Sequence, residues 1–168
     1  MKLIIILLTA VFTCTGAVAQ NASLNILVRN SGKVIKGEIV YLEVTVCNMD
    51  ASVALPVYKL RPQISVPPGM VMIPVSGHVL PDGWLVTANK GTQIWLSNGT
   101  DTIAAGDCRT ILIAMQGNEP GGPSTVSGNL LFSNGIAPGS VTGSQTPGDS
   151  PADNSSASTV EVLKKQTP

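Results

Sequence analysis

The stretch Ile39-Val-Tyr-Leu-Glu-Val-Thr-Val-Cys-Asn48 decides the fold. Val40, Leu42, Val44 and Val46 share one parity; Tyr41, Glu43, Thr45 and Cys47 share the other. A period of two belongs to an extended strand with one face turned to a core. Outward from it, shorter runs repeat the pattern. Ala22 to Arg29 places Leu24, Ile26 and Val28 on one face and stops at Asn30-Ser31-Gly32. Val57 to Val66 is broken by Pro62 and ended by Pro67-Pro68-Gly69, so it is expected at a sheet edge. Trp84 to Thr87 and Thr92 to Ser97 flank Ala88-Asn89-Lys90-Gly91, which reads as a four-residue hairpin turn. Cys108 to Met115, Thr125 to Ser133 and Ser158 to Leu163 each carry alternating apolar residues. Between the last two, the connection from Asn134 to Ser155 is long for a compact domain, which marks it as a mobile or functional segment. The expectation is an all-β, immunoglobulin-like two-sheet sandwich of seven to eight strands.

Composition agrees. Charged residues are 12% of the 168, hydrophobic residues 43%, with 17 Gly and 12 Pro. That is turn-rich β structure with enough apolar material for a core. Ten Lys+Arg face ten Asp+Glu, and removing Lys2 with a leader leaves nine against ten, a net −1. Near-neutrality predicts neither a nucleic-acid footprint nor a polybasic face for an anionic membrane.

Residues 1–19 read as a signal peptide. Lys2 is the positive n-region, Leu3 to Val11 the apolar run, and Ala17-Val18-Ala19 a small-x-small cleavage site. The apolar run is too short to span a bilayer, so no transmembrane anchor is expected. The domain is assigned to 20–163 and a short polar tail to 164–168, with a secreted, cell-surface or periplasmic destination. Two cysteines then remain outside the cytoplasm, Cys47 and Cys108. Cys47 ends its strand and Cys108 begins another, both on the parity facing away from the core. In an Ig-like sandwich the second and fifth strands are antiparallel neighbours, so the pair is read as a cross-strand disulfide on an outer face. Two free thiols are the alternative.

Several stretches resemble a known family. Ser23-Leu-Asn-Ile-Leu-Val28 and Glu38 to Asn48 are similar to the opening of the bacterial Ig-like conserved repeat called domain of unknown function 11. Val66-Pro67-Pro68-Gly69 resembles its Leu-Pro-Ala-Gly turn, and Ile103-Ala-Ala-Gly-Asp107 the turn before its fifth strand. Pro151 to Ala157, followed by Thr159-Val-Glu-Val162, resembles its acidic Asn-rich turn and final strand. The resemblance covers roughly the whole mature chain. It implies a secreted or surface-exposed bacterial β-sandwich and transfers no catalytic residue.

No catalytic motif is found. His78 is the single histidine, set in Val75-Ser76-Gly77-His78, and reads as a solvated loop residue. No nucleophile elbow, phosphate-cradling Gly loop or Cys-x-x-Cys pair occurs. Cofactors, metals and catalytic residues are therefore expected to be none, and a two-carboxylate hydrolase is the remaining enzymatic reading. Asp149, Asp153 and Asn154, with Asp101 and Asp107 elsewhere, are oxygen-rich enough to consider calcium, but their spacing is that of turn residues. Asn21, Asn98 and Asn154 head glycosylation sequons, which matter only in a eukaryotic secretory route. In the expected hairpin Trp84 lies opposite Trp95, both outside the core, as a cross-strand pair. The function expected is a non-enzymatic exported module that binds a protein or cell-envelope partner. The alternative is a carbohydrate-binding module in which Trp84 and Trp95 stack on a glycan.

Overall fold

The computed structural model describes residues 21–100, 102–133 and 149–166. The expected signal peptide 1–19, Asp101 and most of the 134–155 connection lie outside the described residues. Among the described residues ten strands form: β1 Ala22–Val28, β2 Lys33–Ile35, β3 Ile39–Asn48, β4 Leu60–Ser65, β5 Met70–Met72, β6 Leu85–Asn89, β7 Gln93–Ser97, β8 Cys108–Gly117, β9 Gly121–Phe132 and β10 Ser155–Leu163. They make a four-stranded sheet, β1-β3-β8-β5, and a six-stranded sheet, β2-β10-β9-β4-β7-β6. The inward parities of both sheets meet in one core, with Leu42, Val44, Ile111 and Ile113 from the first facing Ile64, Leu96, Leu130 and Val160 from the second. The two-sheet sandwich stands; the strand count of seven to eight is corrected to ten. The additions are β2 and β5, three-residue strands too short to show a period.

Two further expectations are corrected. β4 is an interior strand, between β9 and β7, and not an edge. Its Pro62 is accommodated by register. The N–H of Leu60 donates to the Asn98 Oδ1 at 2.9 Å and that of Val66 to the Thr92 carbonyl at 2.9 Å, so even-numbered residues face the β7 side. The missing donor of Pro62 points the same way, just beyond a β7 ladder that starts at Gln63. The hairpin register also differs. Its turn is Lys90-Gly91-Thr92, with Gly91 at φ 74° and its N–H donating to the Asn89 side chain at 3.2 Å. Trp95 pairs with Ala88, and a bulge at Thr87 shifts the register before Val86 pairs with Leu96. One inserted residue reverses which face each side chain takes. Trp84, which unbroken alternation places outside, thereby joins Val86 on the core side and is 3% exposed.

The sheets close on one another along β1. This strand ends the four-stranded sheet, and its outward N–H groups would be an open template for pairing. Instead Ile26 donates to the Ser156 Oγ at 2.9 Å, Val28 to the Ser158 Oγ at 3.1 Å and Ala22 to the Asp149 Oδ1 at 3.2 Å. Close approach requires glycine at Gly32 (φ 73°), where a Cβ would collide with the Thr159 carbonyl, while a Cβ on Gly128 of β9 would displace the tip of the Ile26 side chain. A Ser156→Ala/Ser158→Ala variant leaves two partly buried N–H groups unpaired and is expected to lose about 2 kcal/mol. Hydrogen exchange should show it locally, as faster exchange at Ile26 and Val28; unchanged rates there would contradict the seal.

Candidate interaction face

The outer face of the four-stranded sheet is built row by row from the register. Ser23, Cys47 and Cys108 form the first row, and the two cysteines are bonded with Cα atoms 4.0 Å apart. Asn25, Thr45 and Thr110 form the second, the two hydroxyls 3.1 Å apart. The third row is Leu27, Glu43 and Leu112; the next is Tyr41 and Ala114; the last is Ile39, Gln116 and Val71. The face therefore grades from hydroxyls and a disulfide at one end to aliphatic and aromatic groups at the other. Leu27, Ile39 and Tyr41 are 50%, 51% and 45% exposed. One ion pair crosses this end, Arg29 Nε to Glu43 Oε2 at 2.9 Å, with Glu43 between Leu27 and Leu112 and Arg29 beside Tyr41. Apolar residues at solvent-facing positions of three adjacent rows make a patch, whereas scattered ones would need no explanation. The signal for it was present in the sequence: Leu27, Ile39 and Tyr41 occupy the parity opposite the core-directed residues.

The tryptophans are not brought together. Trp84 is in the core. Trp95 lies on the outer face of the six-stranded sheet, half-buried, with the Arg61 guanidinium 5.2 Å from its ring centroid. Arg61 is itself 6% exposed, and burial pushes its guanidinium below the usual arginine value. With one indole buried and the other stacked by a cation, the outer-face Trp84/Trp95 glycan platform is withdrawn.

The acidic residues are used in turns. Asp149 accepts from Asn154 and from the Ala22 N–H, and Asp107 lies 3.8 Å from Arg109. Asp50, just after β3, accepts from the N–H groups of Ser52 and Val53 at 2.7 and 2.9 Å, which hold its carboxyl below the usual range. Among the described residues no group of three or more His, Cys, Asp and Glu converges as a metal site. His78 is an exposed residue of a single 3-10 turn. Of the sequon residues, Asn98 and Asn154 are buried, Asn98 donating to the Pro56 carbonyl and accepting from the Leu60 N–H.

Two antiparallel-dominated sheets share one core, and Cys47 is bonded to Cys108 across the β3–β8 pair. The chain is an Ig-like β-sandwich. No protein-family model matches its sequence, and no curated protein matches it. Among solved structures, the CARDB domain of the PF1109 protein from Pyrococcus furiosus, determined in complex with di-metal ions, is similar. It is 10% identical, with 86% of this chain and 90% of that one covered and a TM-score of 0.47. A type III cohesin module from the cellulosomal ScaE cell-surface anchoring scaffoldin of Ruminococcus flavefaciens is 14% identical, covering 86% and 88%, with a TM-score of 0.47. AvmM, which catalyses macrocyclization in alchivemycin A biosynthesis, is 11% identical, covering 89% and 91%, with a TM-score of 0.46. At these identities and TM-scores the likenesses assign no activity to this chain.

Proposed function

We propose that this chain is a non-catalytic, exported Ig-like module that binds a protein partner through the apolar end of its four-stranded sheet. The observation that carries the reading is the contiguous exposure of Leu27, Ile39 and Tyr41. A rigid sheet presenting exposed aliphatic and aromatic side chains around a single ion pair has the mixed apolar and polar make-up of a protein interface. The leader-like residues 1–19 and the resemblance to the conserved-repeat family support export and a place at the cell surface. Among the described residues no helix is long and apolar enough to cross a membrane.

The test uses the chain from Gln20 as bait in envelope and culture fluid of the producing cell, beside a Leu27→Ser/Tyr41→Ser bait. Both side chains are about half exposed, so the variant should fold like the parent. The expected result is one dominant protein retained by the parent and lost by the variant. Equal retention by both baits would sink the reading, as would selective capture on a glycan array with no protein retained.

A further inference from the structure

Net neutrality conceals a local excess of positive charge. Parallel pairing of β2 with β10 sets Lys33 beside Glu161 and Ile35 beside Leu163, and the Lys36 N–H donates to the Leu163 carbonyl at 2.9 Å. Lys33 and Lys36 are thereby gathered with Lys164 and Lys165 from the opposite end of the sequence. Four of the seven lysines of the chain occupy this corner. The carboxylates there are Glu38 and Glu161, and among the described residues no ion pair uses any of the four lysines.

Between the lysines runs a groove. One part, about 700 Å³, is lined by Ile35, Glu38, Leu163, Lys164, Lys165 and Gln166. It continues through shared Ile35, Glu38 and Leu163 into a second part of about 310 Å³ that reaches Ile39 and Lys33. Ile35 and Leu163 give the groove its aliphatic lining, Lys33, Lys164 and Lys165 its cations and Glu38 one carboxylate, and β2 is the end strand of its sheet.

We propose that this groove binds an extended acidic segment of a partner protein, with alternate side chains divided between the Ile35–Leu163 lining and the lysines. Alternation is the natural side-chain pattern of a strand laid along a sheet edge. A uniformly anionic polymer fits less well, since it would meet Glu38 and leave Ile35 and Leu163 uncovered. A lipid bilayer fits less well too, because the apolar groups line a concavity and a bilayer surface would bridge it.

The probe is a short blocked peptide with Glu and Leu at alternate positions, titrated into the chain from Gln20 and read by backbone amide NMR and fluorescence anisotropy. Shifts are expected at residues 33–39 and 161–166, with affinity falling as salt rises, because exposed charges are screened. Reversing two exposed cations, Lys164→Glu/Lys165→Glu, should weaken binding about tenfold by turning two attractions into repulsions. The Leu27→Ser/Tyr41→Ser variant should bind the peptide as the parent does, which separates this groove from the sheet face. No shifts in these segments, equal binding of a Lys/Leu peptide, or preference for anionic lipid vesicles over the peptide would each overturn the proposal.

Discussion

Replacing Trp84 with alanine will lower the stability of the domain by about 3–5 kcal/mol, the cost of deleting a large aromatic from a packed interior. Trp84 is almost wholly buried, and its carbonyl accepts from the Leu80 N–H at 2.8 Å, so the segment entering β6 is clamped where the ring inserts. Trp84 lines, with Asn98, Gly99, Thr100 and Ile103, a space of about 20 Å³, enough for one water. Urea denaturation should show a lowered midpoint with an unchanged slope. Trp95→Ala is expected to cost less, since that ring packs against Arg61 on an outer face. Equal losses at the two positions would contradict the inward placement produced by the bulge at Thr87.

Removing the disulfide, as Cys47→Ala/Cys108→Ala, is expected to cost about 4 kcal/mol from loop closure alone, given the sequence separation of 61. The effect should act mainly through the unfolded chain. In the folded state β3 and β8 are already paired in register from Ile39 with Gln116 to Val46 with Arg109, so the sheet holds its shape without the bond. The variant should therefore keep the strand content of the parent, unfold at lower denaturant, and show a steeper slope, because its unlinked unfolded state exposes more surface. Identical denaturation curves for parent and variant would refute a closed loop of this size.

Much of the fold was legible in the residues because a half-buried strand writes its burial as alternation. β3 and β8 show it plainly: Val40, Leu42, Val44 and Val46 against Ile111, Ile113 and Met115. The same parity set the two cysteines on one outer face. What was not legible has specific causes. The bulge at Thr87 leaves no mark in composition, yet it sends Trp84 to the opposite face from the one counted. Pro62 reads as an edge residue, and only the register of β7 shows that its missing N–H meets no ladder. β2 pairs with β10 in parallel across nearly the length of the chain, a contact that local pattern cannot anticipate, so the lysine corner was invisible in a net charge near zero. The apolar outer face lay between these cases. Leu27, Ile39 and Tyr41 hold the exposed parity in the sequence, but only the register shows that they fall in adjacent rows.

The bond between Cys47 and Cys108 also has a mechanical meaning. A tension applied through β1 and β10 cannot draw out the residues enclosed between the two cysteines, whatever happens to the hydrogen bonds around them. At about 3.3–3.6 Å per extended residue, the enclosed span withholds roughly 200 Å of contour length. Under load the domain would lengthen only by its outer segments, behaving as a short tether with a locked centre.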